Sequence, residues 1–377
     1  MIIAGEISGD LHGSALIESL LRKRNDLKIF GIGGDKMEAA GMDIQFHIKD
    51  MAFLGFAEVV KHIPFIKQVQ KKLLNVIKEK NIRTVVLIDY PGFNLNFAKK
   101  LKRIGIKIIY YISPQIWAWG KNRIKKIKNR VDKMLVVFPF ERQFYNEHGV
   151  DAEFVGHPLI KRLGEYKFLS KEELINKYNL DANKGILLLL PGSRIQEIEK
   201  IFEPVITAAD KLSNKYNLQT IVLSQSGIDN ELYKSLSSIS DYKIINDNGY
   251  DFMKHSKFGI IKSGTSTLEA GLNQLPFVVV YKTNAVTYYI AKKLISIKNI
   301  AMINIISGMN IVEELIQNDV NSENIFKTVK KYFTDNNNGI SEIKENLLIL
   351  KDKLGNLNAA ENAADIIISQ MNYAKQN

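Results

Sequence analysis

Short apolar runs alternate with amphipathic stretches along almost the whole chain, and they do so in two series. A run such as Gly185-Ile186-Leu187-Leu188-Leu189-Leu190 offers no polar side chain to either face. It predicts a strand covered on both sides, as in a parallel sheet. Candidate strands fall at 1–4, 28–31, 84–88, 107–112, 134–137 and 153–155, then at 186–190, 219–223, 242–245, 258–261 and 277–280. Between them, 11–23, 66–80 and 203–216 carry apolar residues at helical spacing. Regular alternation of strand and helix predicts βαβ units in doubly wound, Rossmann-like α/β domains. At 377 residues the chain exceeds the ~250–300 at which a single core stops growing. Two domains are expected, 1–165 and 166–355, divided by a polar stretch at about 161–184 and facing a cleft suited to a ligand.

Two strand ends in the second series carry the chemistry of an anion site. The run 258–261 leads into Ser263-Gly264-Thr265-Ser266-Thr267-Leu268-Glu269, a strand that turns at once into a helix. Backbone N–H groups at such a helix start, with ~+0.5 charge of helix dipole, make a seat for phosphate. Glu269, one turn on, can meet a ribose hydroxyl pair. The same residues would equally cap an ordinary helix. The run 186–190 ends in Pro191-Gly192-Ser193-Arg194. Gly192 permits close backbone approach, Ser193 offers a hydroxyl and Arg194 a planar fork for phosphate oxygens. In open parallel sheets ligands bind beyond the carboxyl ends of the strands, so the two turns can converge on one diphosphate. A solvated surface turn is the alternative.

The first series supplies glycine turns and a carboxylate. Gly5-Glu6-Ile7-Ser8-Gly9-Asp10-Leu11-His12-Gly13 follows the first strand but lacks the dinucleotide spacing G-x-G-x-x-G, and Gly31-Ile32-Gly33-Gly34 begins that spacing and fails at Lys36. His12 reads as a helix-start residue. Asp89, in Ile88-Asp89-Tyr90-Pro91-Gly92-Phe93-Asn94, ends a buried strand before a proline-glycine turn. A carboxylate there can take the proton of an attacking hydroxyl, or it can simply cap the turn. No Asp-x-Asp or His-Glu-x-x-His occurs, and a metal-independent, cofactor-free reaction is expected.

Ser113-Pro114-Gln115-Ile116-Trp117-Ala118-Trp119 holds both tryptophans, and 121–133 carries seven basic residues against the acid Asp132. Such a segment could stack on nucleic-acid bases, bind a sugar, touch an anionic membrane, or be core beside a solvated helix. The apolar stretch 51–66 before Lys67, Lys71 and Lys72 is a second membrane candidate. The net charge of +12 favours polyanionic partners, though abundant Lys, Asn and Ile also fit a genomic base bias. There is no cysteine, no apolar run near 18 residues and no signal-peptide pattern. These exclude a disulfide frame and a spanning helix and are compatible with the cytoplasm.

Taken together the segments resemble the lipid-A-disaccharide synthase family, glycosyltransferases of the GT-B architecture. The resemblance rests on Gly5-Glu6-Ile7-Ser8-Gly9-Asp10, Gly33-Gly34-Asp35-Lys36-Met37, the stretch 51–59, Asp89-Tyr90-Pro91-Gly92-Phe93-Asn94, Ser113 to Trp119, Phe138-Pro139-Phe140-Glu141 and Phe154-Val155-Gly156-His157-Pro158. It continues in Leu190-Pro191-Gly192-Ser193-Arg194, the Ser263 segment, Pro276-Phe277-Val278-Val279-Val280-Tyr281 and Asn304-Ile305-Ile306-Ser307-Gly308.

The resemblance implies transfer from UDP-2,3-diacylglucosamine to 2,3-diacylglucosamine 1-phosphate (lipid X), with inversion, giving a β-1,6-linked disaccharide 1-phosphate and UDP. It implies Asp89 as base and Arg194 as stabiliser of departing UDP. UDP contacts are implied for Ser193, Arg194, Ser263, Gly264, Thr265, Glu269, Asn304 and, more loosely, Tyr281. Glu6, Ser8 and Asp10 are implied on the acceptor side. Where other members read Asp-Ala-Pro-Asp-Phe, Gly92 replaces the second carboxylate, which weakens a two-carboxylate mechanism. Only Met1-Ile2-Ile3-Ala4 precede the glycine turn, so the first strand is expected to be short or the true start to lie upstream. Residues 356–377 are expected to pack back on the first domain, by analogy with the architecture. Attachment to the cytoplasmic face of the inner membrane is expected, nucleic acid is not, and the oligomeric state stays open. A UDP-N-acetylglucosamine 2-epimerase or another glycosyltransferase would share the second-half motifs; a nucleic-acid-binding protein would leave Asp89 and the two turns unexplained.

Overall fold

The computed structural model describes every residue except 52–62, 118–122, 226, 285–287, 289–298, 334–337 and 377. Trp119 and most of the apolar stretch 51–66 therefore lie outside the described residues. The chain forms two compact units: Met1–Gly164 with Leu354–Asn377, and Glu165–Lys353.

The first unit is a seven-stranded parallel sheet in the order β3-β2-β1-β4-β5-β6-β7. Its strands are β1 (Ile2–Ala4), β2 (Ile29–Gly33), β3 (Met42–His47), β4 (Thr84–Ile88), β5 (Lys107–Tyr111), β6 (Lys133–Val136) and β7 (Ala152–Phe154). The second is six-stranded, β10-β9-β8-β11-β12-β13. Its strands are β8 (Gly185–Leu190), β9 (Leu218–Leu223), β10 (Lys243–Ile245), β11 (Phe258–Lys262), β12 (Phe277–Tyr281) and β13 (Glu314–Ile316). Counted within each unit, both sheets begin 3-2-1-4-5-6, the doubly wound order with its reversal between the first and fourth strands.

The central strands are apolar on both faces because helices cover both. Val85, Leu87, Ile88, Ile108 and Ile109 are buried in the first unit, as are Leu187, Leu188, Leu189, Ile260 and Ile261 in the second. The helix Ile63–Glu79 turns Val69, Leu73 and Ile77 inward while Lys67, Lys71 and Lys72 stay exposed. The helix Ile195–Tyr216 starts eight residues before the amphipathic stretch and continues through Pro204, whose missing N–H removes one helical hydrogen bond. Ile198, Ile201, Phe202, Val205 and Ile206 are all buried on either side of it, so packing holds the helix continuous.

Two strands escaped the reading of apolar runs, and both are edges. Met42–His47 has only its first residue buried, and Glu314–Ile316 is three residues long with one buried. Half-exposed edge strands need no apolar run. The helix Ala359–Gln376 belongs to the first unit. Arg22–Glu361 (3.1 Å) and Lys23–Asp365 (2.7 Å) ion pairs, and a bond from Asn362 Nδ2 to the Val155 carbonyl (3.1 Å), tie it there. Among the described residues no helix is long and apolar enough to cross a membrane.

Candidate active site

In the second unit, β8 and β11 are neighbours paired Leu190 to Ile261. Their carboxyl ends therefore emerge side by side, at the reversal of strand order. The turn Pro191–Arg194 and the turn Ser263–Gly264 lie on the same edge, each opening a helix: Ile195–Tyr216 with Arg194 at its N-cap, and Thr265–Leu272 with Gly264 at its N-cap. Ser193, Arg194, Gly264 and Thr265 are exposed there. The first N–H groups of each helix have no partner within it, so two positive helix ends face the same side. The turns are joined by a half-buried link that the amino-acid sequence does not show. Lys262 Nζ lies 2.7 Å from Glu197 Oε1, with side chains only 16% and 20% exposed, and Glu197 Oε2 accepts the Ser193 N–H at 3.3 Å. Gly192, at φ 136°, passes so close to Glu197 that a Cβ would meet its Oε2 at 2.9 Å.

The remaining second-unit candidates divide. Ser263 is engaged on both sides, its hydroxyl donating to the Ile300 carbonyl (3.1 Å) and its N–H to the Val280 carbonyl (3.0 Å), so the open donors of this turn are those of Gly264 and Thr265. Glu269 is half-buried and accepts from the Tyr250 hydroxyl (3.0 Å). Tyr281 ends β12 under Lys262, whose Nζ is 5.7 Å from the ring centroid. Asn304 is buried, and both ends of its amide are engaged. Nδ2 donates to the Val312 carbonyl (2.9 Å) and Glu314 Oε1 (2.8 Å), and Oδ1 accepts from Val312 N (3.1 Å). Asn304 thus braces the loop behind the turns rather than presenting its amide to a ligand.

In the first unit the corresponding reversal lies between β1 and β4, paired Ala4 to Ile88. Gly5–Asp10 follows one strand and Asp89–Asn94 the other. Asp89 and Tyr90 are both left-handed, at φ 43° and 48°. Such a conformation costs about 1–3 kcal/mol per non-glycine residue and needs surrounding structure to hold it. That support is visible. Asn94, buried in the helix Pro91–Arg103, donates Nδ2 to the carbonyls of Ile88 (3.1 Å) and Asp89 (2.7 Å), and the Tyr110 hydroxyl donates to the Asp89 carbonyl at 2.5 Å. Tyr90 stacks on Phe93 and lies over Gly5, where a Cβ would come within 2.2 Å of its ring. The side chain of Asp89 is half-buried. Burial, and next the charge of Glu6, push its carboxyl up to about 6, against a smaller downward pull from the Tyr90 N–H.

Glu6 and Ser8 are exposed beside it at the start of the helix Ile7–Lys23. Asp10 differs from them. It is buried, its Oδ1 accepts the N–H of Gly34 (2.7 Å) and Met37 (3.0 Å), and its Oδ2 accepts that of Lys36 (3.2 Å). It caps the helix Asp35–Ala39 and pins the first glycine turn to the second. His12 and His157 are held neutral, their rings pushed down to about 4 and about 3, chiefly by burial.

Asp89 also borders a cavity of about 220 Å³ whose other walls include Ile112, Ser113, Gln115 and Glu141. Glu141 is buried and its carboxyl is pushed up to about 7 by that burial. It accepts from Ser113 Oγ (2.7 Å), Trp117 Nε1 (3.0 Å) and Phe138 N (3.2 Å). Trp117 is thereby a core residue, packed edge-on to Phe140, and is closed to base stacking.

The model of the family described as lipid-A-disaccharide synthetase matches residues 1–367. The chain belongs to the lipid-A-disaccharide synthase family. It is 38% identical to the lipid-A-disaccharide synthase of Geobacter sulfurreducens over 374 residues, covering 98% of this chain and 97% of that protein. With the synthase of Coxiella burnetii it shares 36% over 368 residues, 97% of each chain. Among solved structures it is similar to the UDP-GlcNAc 2-epimerase of Neisseria meningitidis bound to UDP-GlcNAc (TM-score 0.63, 12% identity, 98% of each chain). It is similar also to the glycosyltransferase of kitacinnamycin (TM-score 0.62, 14% identity, 98% of each chain). At such identities these likenesses carry the fold alone, which is GT-B.

As a member of the lipid-A-disaccharide synthase family the chain is a hexosyltransferase of lipid A disaccharide synthesis, with a UDP-sugar donor and a lipid acceptor. In this synthase fold, strand pairing brings Ser193 and Arg194 beside Ser263, Gly264 and Thr265, and Glu6 beside Asp89. Lys262–Glu197 and Glu141 were missed. A polar Lys262 at the end of an otherwise apolar strand, and a glutamate in an aromatic segment, were the only signals of them.

Proposed function

We propose that the chain transfers 2,3-diacylglucosamine from its UDP derivative to the 6-hydroxyl of lipid X. UDP leaves, and the product is a β-1,6-linked disaccharide 1-phosphate. On this reading the second unit holds the donor. Arg194, the Ser193 turn and the N–H groups of Gly264 and Thr265 take the diphosphate, Ser263 anchors the second turn through Val280 and Ile300, and Glu269 takes the ribose. Lys262 and Glu197 fix the two turns relative to each other. Their positive charge and dipoles favour the departing diphosphate more than the bound ester, since negative charge grows on it as the bond breaks.

The first unit supplies the base. As the acceptor oxygen bonds to the anomeric carbon, the bond to the diphosphate breaks and UDP leaves with the electron pair. The hydroxyl proton passes to the Asp89 carboxylate. One displacement on an α-linked donor inverts the centre to β. The observation that carries the reading is the Asp89 carboxyl at the strand-order reversal, pushed up to about 6. It is ionised at neutral pH and still more basic than a solvated carboxylate, as a general base should be. The test is UDP release from the diacyl donor with and without lipid X, together with the anomeric configuration of the product. Acceptor-independent release, or an α-linked product, overturns the reading.

Both substrates carry acyl chains, so the reaction belongs at a bilayer surface, on the cytoplasmic face of the inner membrane. Exposed Ile63 and the exposed Lys67, Lys71 and Lys72 on the helix Ile63–Glu79 support peripheral attachment to anionic lipid. Cosedimentation with anionic vesicles at low salt, lost at high salt, is the expected result; no cosedimentation at low salt contradicts it.

A further inference from the structure

The basic segment after Trp117 meets a second source of positive charge that the sequence does not reveal. Lys99 projects from the helix Pro91–Arg103, while Arg123, Lys126 and Arg130 come from the short helix Ile124–Lys128 and its flanks. All four line one cavity of about 360 Å³, and no acidic side chain is among its walls. Its placement is fixed on both sides. Ile127 is fully buried, and Arg130 Nη1 donates to the carbonyl of Leu95 at 2.8 Å, Leu95 being itself a wall of the cavity. One helical turn away from Lys99 along Pro91–Arg103, Lys102 is paired with Asp132.

This cavity shares Pro91 and Arg123 with the cavity that Asp89 borders. A ligand with its reacting hydroxyl at Asp89 and an anion one sugar ring away would reach both. We propose that Lys99, Arg123, Lys126 and Arg130 form the subsite for the phosphate monoester of the acceptor sugar. The proposal rests on the reading of Asp89 as the acceptor's base and adds a specificity device to it. Four cations on two helices recognise a dianionic phosphate and discriminate against the same sugar without it. They also orient the ring so that its far hydroxyl, not a nearer one, meets Asp89.

An anionic lipid headgroup has the same phosphate chemistry, and kinetics in the absence of vesicles separates the two sources. The experiment measures KM and kcat for a short-acyl acceptor in detergent micelles of neutral headgroup, with its phosphate present and removed. Wild type, Lys99→Gln, Lys126→Gln and the control Lys125→Gln are compared; Lys125 lies on the same helix outside the cavity. Lys99→Gln and Lys126→Gln should each raise KM for the phosphorylated acceptor roughly tenfold, the loss expected for one charge-assisted hydrogen bond. KM for the dephosphorylated acceptor and affinity for UDP should not move, Lys125→Gln should behave as wild type, and Lys99→Arg should restore the discrimination. Variants that leave the phosphate preference intact in these neutral micelles overturn the subsite, assign the cations to anionic headgroups instead, and leave Asp89 as base untouched. A wild-type protein that forms no disaccharide overturns the function and the subsite together.

Discussion

Glu6 and Asp89 stand on adjacent turns, at the ends of strands paired Ala4 to Ile88, and the Glu6 charge adds to burial in raising the Asp89 carboxyl to about 6. A base must be ionised to accept a proton. The rate should therefore be full above pH about 6 and fall tenfold per unit below it. Glu6→Gln removes the repulsion, so the acid limb of the profile should move to lower pH. A pH–rate profile of both proteins reads this directly; an unchanged limb in Glu6→Gln removes Glu6 from the account.

The same shift has a sign for stability. The folded-state carboxyl lies above its ordinary value of 3.8, so the folded state binds the proton more tightly than the unfolded chain. Its contribution favours folding below pH about 4 and is lost as pH rises through about 6. Asp89→Asn, uncharged at every pH, should be at least as stable as wild type at pH 7, with the difference much smaller at pH 4. Denaturant midpoints at the two pH values test it.

Asn94 and Tyr110 hold the carbonyl of Asp89 from two directions and oppose the cost of two successive left-handed residues. Tyr110→Phe removes one bond and should cost about 0.5–1.5 kcal/mol of stability. Asn94→Leu removes two bonds, to the carbonyls of Ile88 and Asp89, and should cost more. In each variant kcat should fall further than affinity for UDP, because the second unit is untouched. Parallel losses of both would show a global rather than a local effect.

Gly192 combines a left-handed φ of 136° with close contact to Glu197. Gly192→Ala should destabilise by about 1–3 kcal/mol and weaken UDP binding by displacing Ser193 and Arg194. Arg194→Ala should weaken UDP binding about tenfold or more, the value of a charge-assisted contact, with the thermal midpoint unchanged because Arg194 is exposed. Calorimetric UDP titration and thermal unfolding together separate the two variants.

The interior strands were legible because burial on both faces demands apolar runs: Thr84–Ile88 was read with the bounds the structure gives it. The edges Met42–His47 and Glu314–Ile316 were not, since solvent on one side relaxes that demand. The turns carrying Arg194, Ser263 and Asp89 were legible as glycine- and proline-marked strand ends. What neighbours them was not. Lys262 and Glu197 are far apart in sequence, and only the register of β8 against β11 brings them to 2.7 Å. The capping role of Asp10 likewise depends on where Gly34 falls in space. Motif spacing identifies a group's chemistry; pairing across the sheet decides whether it is free to use it.

The most direct measurement is the turnover of Asp89→Asn beside its affinity for UDP, in protein verified as folded. Turnover should fall by about 10²–10⁴, the span of general-base catalysis, while UDP binds as in wild type. A variant that forms the disaccharide at the wild-type rate would contradict the assignment of Asp89 as the base.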